Sequence, residues 1–275
     1  MRFRWLTAFP LLYAAAFVAI AAFLSGQEGL EPFVRGQLLL VRVLAIAGCL
    51  AAVTVFHRGD HLRRAWISLV LATLLVLVRD VLRLPPFDFP GSGLEGAGLV
   101  IAGLGVLSNV ALLTGVWLLA RSWKLAAISL PGGSSGAVIA TLVAAGLALG
   151  VAGPSAWKHG LELLGGDWNA LIMTVSAVVD ILSLCLLAPL FLTAVALRGG
   201  MFAWPWALMA ASMLSWLFYD GAAAMGPALE LGDFPLTDVF RGLAENFLFA
   251  AGLAQRFAVQ KVHRVAAGTS RAPAA

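Results

Sequence analysis

Arg42, Asp80, Asn109, Asp180, Asp220, Glu245 and Asn246 stand inside stretches of the chain that are otherwise apolar. In a hydrocarbon core each charge of this kind costs roughly 2.5–3.5 kcal/mol on insertion scales, so it pairs, lines a wet cavity or serves a function. The acids Asp80, Asp180, Asp220 and Glu245 stand against the bases Arg42, Arg79 and Arg241, which leaves the charge nearly balanced. Such a set suits a pocket for a small polar solute, a cation or protons, with the two asparagines adding neutral donors and acceptors. Buried carboxyls brought together can also serve as general acid and base. Purely structural roles compete with each assignment. Asp80 and Asp220 can pair with Arg79, Arg83 or Arg241, Arg42 and Asp180 can be members of buried ion pairs, and an intramembrane Asn often only joins helices, at about 0.6 kcal/mol. Arg241 and Glu245, four apart on one helical face, are expected to pair locally.

Asp80 and Asp220 are related by more than type. Arg58-Gly59, Trp66, Leu74, Leu77 and Asp80 recur 140 positions later as Arg198-Gly199, Trp206, Leu214, Leu217 and Asp220. Gly105, Asn109 and Gly115 recur 137 positions later as Gly242, Asn246 and Gly252. Self-similarity at a fixed separation implies a tandem duplication.

The elements that must carry these residues follow from hydropathy. Of 275 residues 61% are hydrophobic and 12% charged, with a mean hydropathy of +0.94. Soluble domains carry about 25% charged residues. Apolar runs near the length needed to cross a bilayer, about 20 residues, fall at 5–24, 36–56, 65–84, 98–120, 136–153, 169–197, 203–225 and 236–258. The expected fold is all-α: a polytopic membrane protein with eight transmembrane helices in two parallel four-helix repeats. Residues 1–124 form the first repeat, 125–135 a Gly/Ser linker, 136–260 the second repeat, and 261–275 a basic disordered tail. An even number of spans inserts both halves the same way up. The first apolar run is longer than the 7–15 residues of a cleaved signal h-region, so it reads as a retained span.

Charge sets the orientation. Arg2, Arg4, Arg58, Arg63, Arg64, Arg121, Lys124, Arg198, Arg256, Lys261, Arg264 and Arg271 fall on one side of an eight-span arrangement. Glu28, Glu31, Asp88, Glu95, Glu162, Asp167, Glu230 and Asp233 fall on the other. The positive-inside rule then puts both termini in the cytoplasm of a cell whose inner (plasma) membrane holds the protein. The net charge of +4 reflects this asymmetry and not binding of nucleic acid. The expected partners are the lipid bilayer, a small polar solute or cation, and a cytoplasmic protein docking on the basic stretches Arg58–Arg64 and Lys261–Arg271.

Other motifs carry less. His57 and His61 have an i,i+4 metal spacing but sit among bases that repel a cation, so no metal and no cofactor is expected. Cys49 and Cys185 lie in separate spans and form no CxxC. GxSxG occurs only as Gly132-Gly133-Ser134-Ser135-Gly136 in the Gly/Ser linker, and GxGxxG only as Gly91–Gly96 in a loop between apolar runs, neither in the strand-to-helix setting its chemistry needs; HExxH and GxxxxGK[ST] are missing from the sequence. Tyr219-Asp220 resembles one half of the signature of intramembrane aspartyl proteases, whose GxGD half does not occur in the last span. Trp5, Trp66, Trp123, Trp204 and Trp206 at one boundary, with Trp157 and Trp168 at the other, read as interfacial belts. Gly146 and Gly150 read as a GxxxG packing pair. The resulting expectation is an inner-membrane protein, leaning away from an enzyme, with an outward-facing polar pocket. Alternatives are a sensor or assembly subunit and an enzyme that modifies a lipid or isoprenoid with buried carboxyls.

Overall fold

The computed structural model describes residues 4–85, 87, 89, 96–125, 133–167, 170–196, 200–229 and 234–269. Arg198, Gly199, Pro131, Trp168 and residues 270–275 lie outside the described residues, as do Asp88, Glu95, Glu230 and Asp233. Among those described, all regular structure is helical: α1 (Arg4–Leu24), α2 (Leu30–Val53), α3 (His61–Leu82), α4 (Ala97–Leu125), α5 (Gly133–Leu164), α6 (Leu171–Ala196), α7 (Ala203–Leu229) and α8 (Leu236–Thr269). With no water in a bilayer core, a helix is the element that satisfies its own backbone polar groups. Six of the eight, α1 to α6, are long and apolar enough to cross a membrane. The remaining two carry much of the polar cargo, with Tyr219 and Asp220 on α7 and Asp238, Arg241 and Glu245 on α8.

Local signals set several boundaries. The Asp60 carboxylate accepts the Leu62 backbone N–H at 2.9 Å and caps α3. After α5, Gly166 takes φ 94°, a left-handed conformation that glycine adopts without a Cβ clash. Pro154 does not end α5, which runs on to Leu164, well past the boundary expected at 153. Likewise α8 continues to Thr269, nine residues into the stretch expected to be a disordered tail.

Helix packing describes a ring. In order around it stand α2, α3, α4, α6, α7 and α8, with α8 closing back onto α2. Outside the ring, α1 lies mainly on α8, and α5 lies on α6 and α7. α1 and α5, which a four-plus-four repeat would make equivalent, therefore have different neighbours. A close seam joins α2 and α8, where Gly48 faces Phe249 and Gly252 faces the Gly48 carbonyl. A Cβ on Gly48 would stand 2.5 Å from the Phe249 oxygen, so only glycine allows this approach. Gly146 and Gly150, by contrast, meet nothing within 4 Å. The GxxxG expectation for them is corrected: they face outward from the bundle.

At the end of the ring bearing the α2–α3 connection, the interior is dry. Trp66, Leu69, Val116, Leu119, Met209, Met213 and Ala251 pack into one core. Trp66 is 1% exposed and so is not an interfacial tryptophan. Trp5 and Trp157, at 67% and 71%, are exposed.

Candidate functional site

The other end of the ring, bearing the α3–α4 and α7–α8 connections, is polar. A buried guanidinium organises part of it. Arg42 on α2 is fully buried; its Nε donates to Asp80 Oδ2 at 2.7 Å and its Nη1 to Glu245 Oε1 at 2.8 Å. Charge-assisted bonds of this length are among the strong ones. Arg79 donates to the other Asp80 oxygen, with Nη2 at 3.3 Å. One base thus ties α2 to α3 and α8, the pairing rule for charges in an apolar setting.

Arg241 does not pair with Glu245 as expected. It donates to Asp238 Oδ1 and to the Tyr219 hydroxyl, both at 3.4 Å, and its guanidinium lies 5.2 Å from the Tyr219 ring centre. The cause is a competing partner. Glu245 reaches Arg42 across the α2–α8 seam, a buried contact between residues 203 apart in sequence.

A cavity of about 140 Å³ opens beside this network. At about 10–15 Å³ of probe volume per water, it has room for several waters or a small solute. Asp180, Asp220, Glu245 and Asn109 all line it, together with Arg79 and Arg241. Asp180 on α6 and Asp220 on α7 stand together on this wall. Asp180 is 6% exposed, and among the described residues neither acid forms an ion pair with a base.

The structure separates the remaining candidates from the cavity wall. Arg42 and Asp80 form the charge network behind Glu245. Asn246 is buried and donates from Nδ2 to the Gly242 carbonyl of its own helix at 2.9 Å. Asn109, 137 positions earlier in the sequence, faces the cavity instead. Wall residues that the sequence reading did not single out include Thr73, Ser108, Ser155, Ser176 and Trp216. Small hydroxyls give almost no signal in an apolar helix, because their donors can bond the preceding turn, as Thr73 does to Leu69. For Ser108 a usable signal existed, since it precedes Glu245 by the same 137 positions that relate Asn109 to Asn246.

His61 reaches Asp60 at 3.5 Å, and among the described residues no group of three potential ligands is placed to hold a metal ion. Compared with known families, curated proteins and solved structures, the chain matches none.

Proposed function

We propose that the chain is a multi-pass inner-membrane protein with eight spans and cytoplasmic termini, whose cavity faces outward and binds a small polar solute, a cation or protons. The single observation that carries this reading is the cavity itself. It is lined by ionisable groups at one end of a helical ring whose other end is filled by an apolar core. Dry packing would be the cheaper filling for a purely structural ring, since in lipid van der Waals contact is what holds helices together. The polar end of α3, α4, α7 and α8 coincides with the side that the positive-inside rule assigns to the exterior.

The duplication belongs to the same proposal, confined to three helices of each half. On α3, Ala65, Leu69, Ala72 and Thr73 are buried, and Pro205, Met209, Ser212 and Met213 are buried 140 positions later. The packing of α8 on α2 has its counterpart in that of α4 on α6. Transport fits such paired halves, because motion at their interface exposes a central site alternately to the two sides. Sensing through a cytoplasmic partner uses the same cavity.

A thermal-shift screen of the purified protein over cations, amino acids, sugars and lipids tests the reading. A ligand at a hundred times its Kd adds about 2.7 kcal/mol of apparent stability. Ser176→Phe, which fills the cavity, is expected to abolish the response. A screen in which no solute raises stability, or one whose response survives Ser176→Phe, overturns the proposal.

A second reading has an observation of its own. Two acids lining one small, largely apolar cavity are the arrangement expected of an enzyme using one carboxyl as acid and the other as base. Turnover of a lipid or isoprenoid that Asp180→Asn abolishes would favour it over simple binding.

A further inference from the structure

The charges around the cavity divide unevenly. Arg42, Arg79 and Arg241 are matched by Asp80, Glu245 and Asp238, with every base in contact with at least one of these acids. Asp180 and Asp220 are left over on one cavity wall, with no base in contact among the described residues. Two bare carboxylates offer only acceptors, and a proton shared between them supplies the donor that neither has. Independent of that pair, Glu245 is 3% exposed and lines the same cavity, and its Oε2 has no partner. Asp220 Oδ2 is also buried without one. The cavity wall therefore holds acceptor oxygens that the protein itself leaves unfilled.

The two halves show what is missing. On α2, Val41, Arg42, Ala45 and Cys49 are buried; 138 positions later on α6, Val179, Asp180, Ser183 and Leu187 are buried. Arg42 touches Asp80, and Asp180 shares the cavity wall with Asp220, the residue 140 positions after Asp80. Where the first half has a fixed guanidinium, the second has a carboxyl and no fixed cation.

We propose that Asp180 and Asp220 form a proton-binding site, in which one proton held between the two carboxyls exchanges with the cavity and fills the role that the Arg42 guanidinium has in the first half. The proposal rests on the cavity being the wet site described above, and names the coupling ion of that site. On release, the O–H bond of the protonated partner breaks, the proton passes to cavity water, and two carboxylates remain. Uptake reverses the step, and no electron is transferred. The pair titrates as a unit. Groups facing it are Arg79 on α3, Tyr219 on α7, and Arg241 and Glu245 on α8. The walls from α4 and α5 contribute the uncharged Ser108, Asn109 and Ser155, and on α5 His159 is bonded to Glu162 at 2.8 Å. Release thus changes the cavity by one unit of charge next to two fixed guanidiniums, which makes solute binding and proton occupancy interdependent.

Infrared difference spectroscopy on the full chain in lipid nanodiscs, without added solute, tests this. The parent is expected to show a protonated-carboxyl band at neutral pH that moves in D2O and bleaches on alkalinisation. Asp180→Asn and Asp220→Asn each remove it, while Asp80→Asn keeps it. Each Asn retains a donor for the remaining carboxyl, so a merely structural bond would survive without the pH-dependent band. If either variant fails to fold, the titration of the parent still decides. No such band in the parent, a band indifferent to both Asp variants, or a band lost on adding NaCl at fixed pH overturns the proposal; the last outcome marks a metal-cation site. A band present with a silent solute screen refutes solute binding alone, and a responsive screen with no band refutes the proton site alone.

Discussion

Replacing Arg42 by methionine removes one charge, keeps much of the volume, and strands two acids unequally. Arg42 makes two charge-assisted bonds, at 2.7 Å to Asp80 and 2.8 Å to Glu245. Bonds to charged groups contribute about 1.5–3 kcal/mol each, and breaking a buried pair from one side costs about 3–5 kcal/mol because a bare charge stays behind. Asp80 retains Arg79 at 3.3 Å. Glu245, 3% exposed and with its other oxygen already unpartnered, retains nothing. Most of the loss should therefore come from Glu245. Arg42→Met is expected to lower unfolding stability by about 3–5 kcal/mol, read by denaturant titration in detergent. Adding Glu245→Gln to Arg42→Met should restore more than half of that loss. Adding Asp80→Asn instead should restore less, since it also strips Arg79 of its partner. An Arg42→Met variant as stable as the parent, or a better rescue by Asp80→Asn, would refute the claim that this network is held together through Glu245.

Three further outcomes are expected. Gly48→Ala drives a methyl into the Phe249 backbone and should destabilise the α2–α8 seam strongly, whereas Gly103→Ala meets open space and should leave the melting temperature unchanged. Ser212 donates to the Ala244 carbonyl across α7 and α8 at 2.8 Å, so Ser212→Ala should cost about 0.6 kcal/mol in the same titration, the average for interhelical bonds in membranes. Reporter fusions after Gly26 and Gly166 should report the exterior and those after Gly59 the cytoplasm; a cytoplasmic signal at Gly166 would overturn the eight-span topology.

The sequence located the helices and the polar residues better than it located their contacts. Apolar length alone places α1 to α6, because crossing a bilayer and satisfying the backbone make a demand on composition that any reader can see. Pairing is different. Arg241 and Glu245 share a helical face, yet each finds its partner elsewhere, Arg241 three residues back and on α7, Glu245 on α2. Spacing along one helix says which residues share a face, not which neighbour that face meets. Trp66 reads as interfacial by its position after a basic loop, but Gly115 lets α4 close over α3, with the Leu69 side chain and Ala65 carbonyl beside it, and the indole is enclosed. The apolar run ends at 153, yet α5 continues through Pro154, because a proline in a transmembrane helix is tolerated where neighbours re-satisfy the freed carbonyl. The acid pair was legible only as two separate acids. Its meeting depends on α6 and α7 being neighbours in a ring whose order leaves α5 outside.

The Arg42 network also sets an order of assembly during synthesis. Asp80 follows Arg42 by 38 residues, and Glu245 follows it by 203. At about 5–20 residues per second, the second acid emerges roughly 10–40 s after the arginine has entered the membrane. Through that interval Asp80 is the nearer of the two counter-charges, and α2 with α3 is a unit that can be left in lipid while the rest of the chain is made. The ring can shut only when α8 brings Glu245 to Arg42 and Gly252 to Gly48 at the same seam. Nascent chains arrested before α8 should therefore hold α2 and α3 together through Asp80 and leave the ring open, with the bond from Arg42 Nη1 to Glu245 unmade.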